Sequence, residues 1–234
     1  MPNFLLIDTA GPHAFTAICR DGRIIAERSN SEQKEHASFL QPAIAALLAE
    51  TGMNWKDLHA ISVSNGPGSY TGLRVGLAAA KGLCFAQNIP LLCLSTLEIM
   101  AEAAISAYRD KFGDPGDALF VPMIDARRME VYTAAYTKDR VELSPPQALI
   151  LELNSYSELL DAHKVHFFGN GAPKWQNIAN HPQAAFISLL PGLAEAMCRL
   201  TGVYYDNAAF ADVAYSEPFY IKSFHDTRKP IGNE

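Results

Sequence analysis

Apolar positions in the first hundred residues alternate between two periods. "NFLLID" (3–8) is a short β-rich run, and "AFTAICRDGRIIAER" (14–28) predicts two strands joined at Asp21-Gly22, a dipeptide suited to a hairpin turn. From 35 to 50, "EHASFLQPAIAALLAE" places Phe39, Leu40, Ile44, Leu47 and Leu48 at helical spacing, and Gly52 ends the run. "AISVS" predicts a strand, 71–86 a helix, "PLLCL" a strand and 96–108 another helix. Three opening strands followed by alternating helices and strands predict an α/β layered domain.

"RDKFGDPGD" (109–117) interrupts this pattern with charge, glycine and proline and reads as a linker. Beyond it the opening returns. "LLIDTAGPHAFTA" (5–17) lies on "PMIDARRMEVYTA" (122–134) at a constant displacement of 117 positions, with Ile7 on Ile124, Asp8 on Asp125 and Phe15 on Tyr132. "VSNGPG" (63–68) has an echo in "FFGNGAP" (167–173). Two echoes in the same order predict two related lobes, 1–108 and 109–234, with the last helix and tail free to pack back on the first.

Composition narrows the chemistry. The 234 residues are 49% apolar and 19% charged, which suits a globular protein with a large core. The net charge of −6 and the lack of a lysine or arginine run argue against direct hold on nucleic acid; Arg127-Arg128 and the tail "SFHDTRKP" read as solvated surface. Cys19, Cys84, Cys93 and Cys198 have no paired spacing and read as small buried hydrophobes. The N-terminal apolar run is too short for a signal peptide and no run approaches a membrane span, so a cytoplasmic location is expected. The seven histidines are dispersed and read as solvent-facing; His163 and His166 would point to opposite faces of a strand. No metal site is expected, and Ser69 lacks the context of a nucleophile.

Two facing lobes, each opening with a strand that ends in Ile-Asp, resemble the actin/Hsp70/sugar-kinase superfamily, in which ATP lies between the lobes. The resemblance implies a cleft built from Asp8, Thr9, Asp125, Arg127, Gly169, Asn170 and Gly171. Phosphate-gripping turns need glycine for close backbone approach. The turn "DTAGPHA" has one glycine and a proline without an amide donor, and "DARRMEV" carries two arginines and a methionine. The nucleotide site therefore reads as degenerate, and Asp8 and Asp125 stand equally as turn-forming acids at strand ends.

"LLIDTA", "EHASFLQPAI", "SNGPGSYTGLRVGLAAAKGL", "IPLLCLSTLE", "MIDARRMEVYTAAY", "FFGNGA" and "EPFYIK" together resemble the TsaB family of the bacterial tRNA threonylcarbamoyladenosine machinery, essentially from end to end. Where the family tends to Leu-Arg in the tail, this chain has Ile221-Lys222. The resemblance implies a non-catalytic paralogue of TsaD that pairs with TsaD or with itself and works with the ATPase TsaE. It would reach tRNA only through the complex and hold no cofactor alone, with ATP or ADP engaged only in the assembly. TsaD carries His-x-x-x-His after the strand equivalent to "PLLCL"; Thr96 and Met100 stand at those places here and supply no imidazole. An ATP-dependent kinase of the two-lobed superfamily and a self-associating protease are the rival readings.

The family pairs through the helices at 35–50 and 71–86, which implies an interface of His36, Phe39, Leu40, Gly72, Leu73, Gly76, Ala79 and Ala80. The residues independently favour a covered helix: 71–86 is apolar almost all round, with Gly72, Gly76 and Ala80 at four-residue intervals. Its own neighbour at 35–50 could supply that cover instead. The glycine loop then serves as a tight helix entry capped by Ser69 or Thr71. On this reading Gly76→Leu is expected to leave the monomer folded and to abolish assembly with TsaD.

Overall fold

The structure, a computed structural model, describes residues 2–188 and 190–222. Two five-stranded sheets repeat one topology. In the first, β1 (Asn3–Asp8), β2 (Ala14–Arg20) and β3 (Arg23–Asn30) form an antiparallel meander, and β4 (Ala60–Gly66) and β5 (Leu91–Ser95) run parallel to β1 on its other side, giving the order β3-β2-β1-β4-β5. In the second, β6 (Leu119–Asp125), β7 (Glu130–Tyr136), β8 (Glu142–Ile150), β9 (Val165–Phe168) and β10 (Ala184–Ile187) take the matching order β8-β7-β6-β9-β10. The duplication read from the Ile-Asp echoes is thus matched strand for strand. The constant displacement fails at one point: Asp8 pairs with Phe15 but Asp125 with Val131, so the second hairpin turn is one residue shorter.

The helices are α1 (His36–Thr51), α2 (Tyr70–Gln87), α3 (Thr96–Phe112), α4 (Ser157–Ala162), α5 (Ala172–Gln176) and α6 (Leu193–Asp206). Alternation along β1 sorts them into layers. Leu5 and Ile7 face α1 and α2 in one core with Leu40, Ile44, Leu47, Val63, Leu77 and Ala80. Phe4 and Leu6 face α3 and α6 in a second core with Ile99, Ala103 and Met197. A third core lies under α4 and α5, with Val121, Phe167 and Trp175. The other face of α3 packs on the second sheet through Met100, Ala104, Phe120, Tyr136 and Phe168, so α3 lies between the lobes.

Three expectations are corrected here. The linker begins later than 109, because α3 continues to Phe112 and ends at Gly113, whose φ is +83°. Cys19 and Cys198 are not separate buried hydrophobes; β2 and α6 meet in one core with Cα atoms 6.0 Å apart and the two sulfurs form a disulfide, while Cys84 and Cys93 stay free. His36 and His166 are buried rather than solvent-facing. His166 stacks on Phe120 against Tyr108, and burial, with Lys164 nearby, pushes its pKa down to about 4, so it is a neutral core ring. The tail "SFHDTRKP" lies outside the described residues.

Candidate functional site

The "SNGPGSYTG" loop serves the chain itself. Ser69 caps α2, its Oγ accepting from the Gly72 amide at 3.3 Å, as the sequence allowed. A Cβ at Gly68 would press into Ala10, and one at Gly66, where φ is +121°, would collide with the Phe219 carbonyl. These glycines admit neighbouring backbone.

The first-lobe turn is closed by the helix behind it. Thr9 Oγ1 donates to the Gly72 carbonyl at 2.6 Å. The Asp8 carboxylate accepts from Ser64 Oγ at 2.6 Å and from the Ala10 amide at 2.8 Å. Burial pushes its pKa up, against the opposing pull of Ser64, the Ala10 amide and His36. Both His36 ring nitrogens lie buried without a hydrogen-bond partner among the described residues. Asp8 here shapes a turn.

The second turn is open. Asp125 accepts from the Arg127 amide at 2.6 Å and from Lys174 Nζ at 2.7 Å, and its own amide donates to Asn170 Oδ1 at 2.9 Å. Burial raises the Asp125 pKa, but Lys174 and the Arg127 amide outweigh it and hold the carboxyl below its ordinary range. Gly169 and Gly171 pack against the Met123 carbonyl, and Arg127 and Arg128 both take positive φ. Asp125, Arg127, Gly169, Asn170 and Gly171 are therefore brought together, whereas Asp8 and Thr9 are tied into the first lobe. Thr96 and Met100 occupy the first two turns of α3, with Thr96 buried at its start. Among the described residues no group of three or more His, Cys, Asp or Glu is placed to hold a metal.

The interface residues need correcting. Gly72, Gly76 and Ala80 do not face outward: they are the face by which α2 lies on its own β1 and β4. A Cβ at Gly72 would strike the Thr9 carbonyl, and one at Gly76 would strike Thr9 Oγ1 with Val63 and Ile7 behind it. Leu73, Leu40 and His36 are buried in the same lobe, leaving Phe39 and Ala79 half-buried. The exposed positions of α2 instead include Thr71, Ala78, Gly82 and Phe85, with Phe85 83% exposed and Val75 half-buried in the same row. Beside it α1 presents Pro42, Ala45, Ala46 and Ala49. Small and apolar residues therefore occupy both faces of α2, so the spacing of small residues does not tell the buried face from the exposed one.

These two sheets and their turns define a duplicated α/β protein of the actin-like class. The family described as TsaD, tRNA N6-adenosine threonylcarbamoyltransferase, matches residues 23–217. The chain is 33% identical to the tRNA threonylcarbamoyladenosine biosynthesis protein TsaB of Escherichia coli over 98% of its own length and 99% of that protein's. It is 38% identical to the Bacillus subtilis protein of the same name over 132 residues, a match spanning 56% of this chain and 54% of that one, about half of each. A crystal structure from Pseudomonas aeruginosa, described as an uncharacterized protein with similarity to peptidase YEAZ, superposes with a TM-score of 0.79 at 27% identity, covering 95% of this chain and all of that one. The chain belongs to the TsaB family.

Proposed function

We propose that the chain is a non-catalytic subunit that pairs with a TsaD-type protein through the outward faces of α1 and α2. With the ATPase TsaE, the pair supports transfer of a threonylcarbamoyl group to the adenosine next to the anticodon of tRNA. The observation that supports the non-catalytic part is the Asp8 turn, which is closed onto α2 by the bond from the Thr9 hydroxyl to the Gly72 carbonyl and by the close approach of the Thr9 carbonyl to Gly72. Thr96 and Met100, which offer no imidazole at the start of α3, support the same reading. The partner reading is supported by the apolar row from Val75 to Phe85, a surface of the kind that marks interfaces. On this account the protein works in the cytoplasm, self-associates when alone and meets tRNA only inside the complex. Nucleotide is engaged only in the assembly. The test is reconstitution with TsaD and TsaE. With an activated threonylcarbamoyl donor supplied, transfer to tRNA is expected from the three proteins together and from no subset lacking this chain, with no ATP hydrolysis by the chain alone. Transfer at full rate without it, or turnover of ATP by it, would overturn the proposal.

A further inference from the structure

The segment that follows α6 crosses from one lobe to the other. Ala211 pairs with Leu91 at the end of α2 remote from the glycine loop. Lys81 Nζ donates to the carbonyls of Ala214 and Ser216 at 3.1 and 2.8 Å, which lays the segment along α2. At the glycine loop, Asn65 holds it twice: its carbonyl accepts from the Phe219 amide at 2.7 Å, and its side-chain amide donates to the Glu217 carbonyl at 3.1 Å. Gly66 gives the Phe219 carbonyl the room a side chain would deny. Tyr220 then stacks on Tyr70, with ring centroids 5.1 Å apart, and its hydroxyl accepts from Arg74 Nε at 3.0 Å. Two residues later the chain is on the other lobe, where Lys222 Nζ lies 2.6 Å from Glu130 Oε2. Glu130 opens β7, and its carbonyl accepts from the Lys174 that holds Asp125.

We infer that residues 217–222 form a clasp that ties the turn end of the first lobe to the turn end of the second and must release before the lobes can part there. β4 ends at Gly66 beside β1, whose end is Asp8, and β6 ends at Asp125. The clasp therefore bridges the strand ends at which both hairpin turns lie. Its first-lobe grip is specific to extended backbone, because Asn65 offers one acceptor and one donor to a single strand of chain. Its second-lobe grip is one half-exposed ion pair, weak by itself. That pair forms because the Asn65 and Tyr70 contacts hold Lys222 at high effective concentration near Glu130.

The coupling is testable in the full-length protein with a zero-length carbodiimide, which joins an amine to a carboxylate only where the two touch. The wild-type chain is expected to give a Lys222–Glu130 cross-link, identified by peptide mass spectrometry. Lys174–Asp125, internal to the second lobe, serves as the control. Asn65→Ala and Tyr220→Ala touch neither residue of the reporting pair, and each is expected to lower the Lys222–Glu130 yield roughly fivefold or more with the control yield unchanged. Tyr220 is only half-buried, so a variant that loses the cross-link by unfolding is distinguished by loss of the control as well, and Asn65→Ser then repeats the measurement with a smaller change. Absence of the cross-link in the wild type, or a yield indifferent to these substitutions in folded protein, would overturn the clasp.

Discussion

Gly76→Leu is expected to destabilise the folded chain by about 3 kcal/mol or more, at the upper end of overpacking costs. The position lies inside α2, where a leucine by itself would favour the helix over glycine. Packing reverses that preference. The new side chain points at Thr9 Oγ1 and at Val63 and Ile7, in the sheet the helix rests on. Thr9 cannot yield, because its hydroxyl is bonded to the Gly72 carbonyl one turn earlier in the same helix. Gly82, in the same helix, has nothing within 4 Å of its Cβ position, and Gly82→Ala is expected to stabilise by up to about 1 kcal/mol. Chemical denaturation of the two variants checks both signs. A Gly76→Leu protein as stable as the wild type would show that α2 does not lie on β1 by this face.

Glu102→Ala is expected to cost roughly 2–3 kcal/mol at pH 7. Breaking a buried ion pair costs about 3–5 kcal/mol, reduced here because both partners reach solvent. The carboxylate is buried on α3 and bonded to Arg140 Nη1 at 2.8 Å and to Arg199 Nε at 2.6 Å, with Ser106 donating to it at 3.2 Å. Arg140 belongs to the β7–β8 turn and Arg199 to α6, so one side chain pins three parts of the fold. Burial raises the Glu102 pKa, but the two arginines outweigh it and leave it below 4.5. A depressed folded-state pKa contributes stability that is present above about pH 4.5 and lost as pH falls through the folded value. Asp8 works in the opposite sense: its raised pKa contributes stability fully present below about 3.8 and lost as pH rises. The Glu102→Ala deficit should therefore shrink in acid. Denaturation curves at pH 7 and pH 3.5 give that comparison, and equal deficits at both would contradict the pairing.

What could be read from the chain follows the range of the interactions. The Asp21-Gly22 turn, the three helices of the first lobe and the Ile-Asp repeat rest on short stretches of sequence, and they are where the pattern places them, apart from the later end of α3 at Phe112. The inward side of α2 was not readable, because Gly72, Gly76 and Ala80 alternate with Val75, Ala78 and Gly82, which are equally small or apolar. Only the Thr9 backbone, 63 residues from Gly72, decides which row is covered. The Glu102 cluster has no local signature either, since Arg199 comes from 97 residues away. Cys19 and Cys198 are 179 apart and are joined only because α6 folds back on the first sheet. Lys174, which bonds Asp125 at the second turn, has no local signature for the same reason, although "GNGAPK" places it close to the second echo.

The exposed row of α2, not its glycine face, is expected to meet the partner. Ala78→Arg separates the two. Position 78 is exposed, and arginine is a good helix former, so the melting temperature of the free chain should be unchanged. Affinity for TsaD, measured by calorimetric titration, is predicted to fall about a hundredfold, close to 2.8 kcal/mol, as a guanidinium is forced into an apolar contact. Wild-type affinity in the folded Ala78→Arg chain would contradict the account.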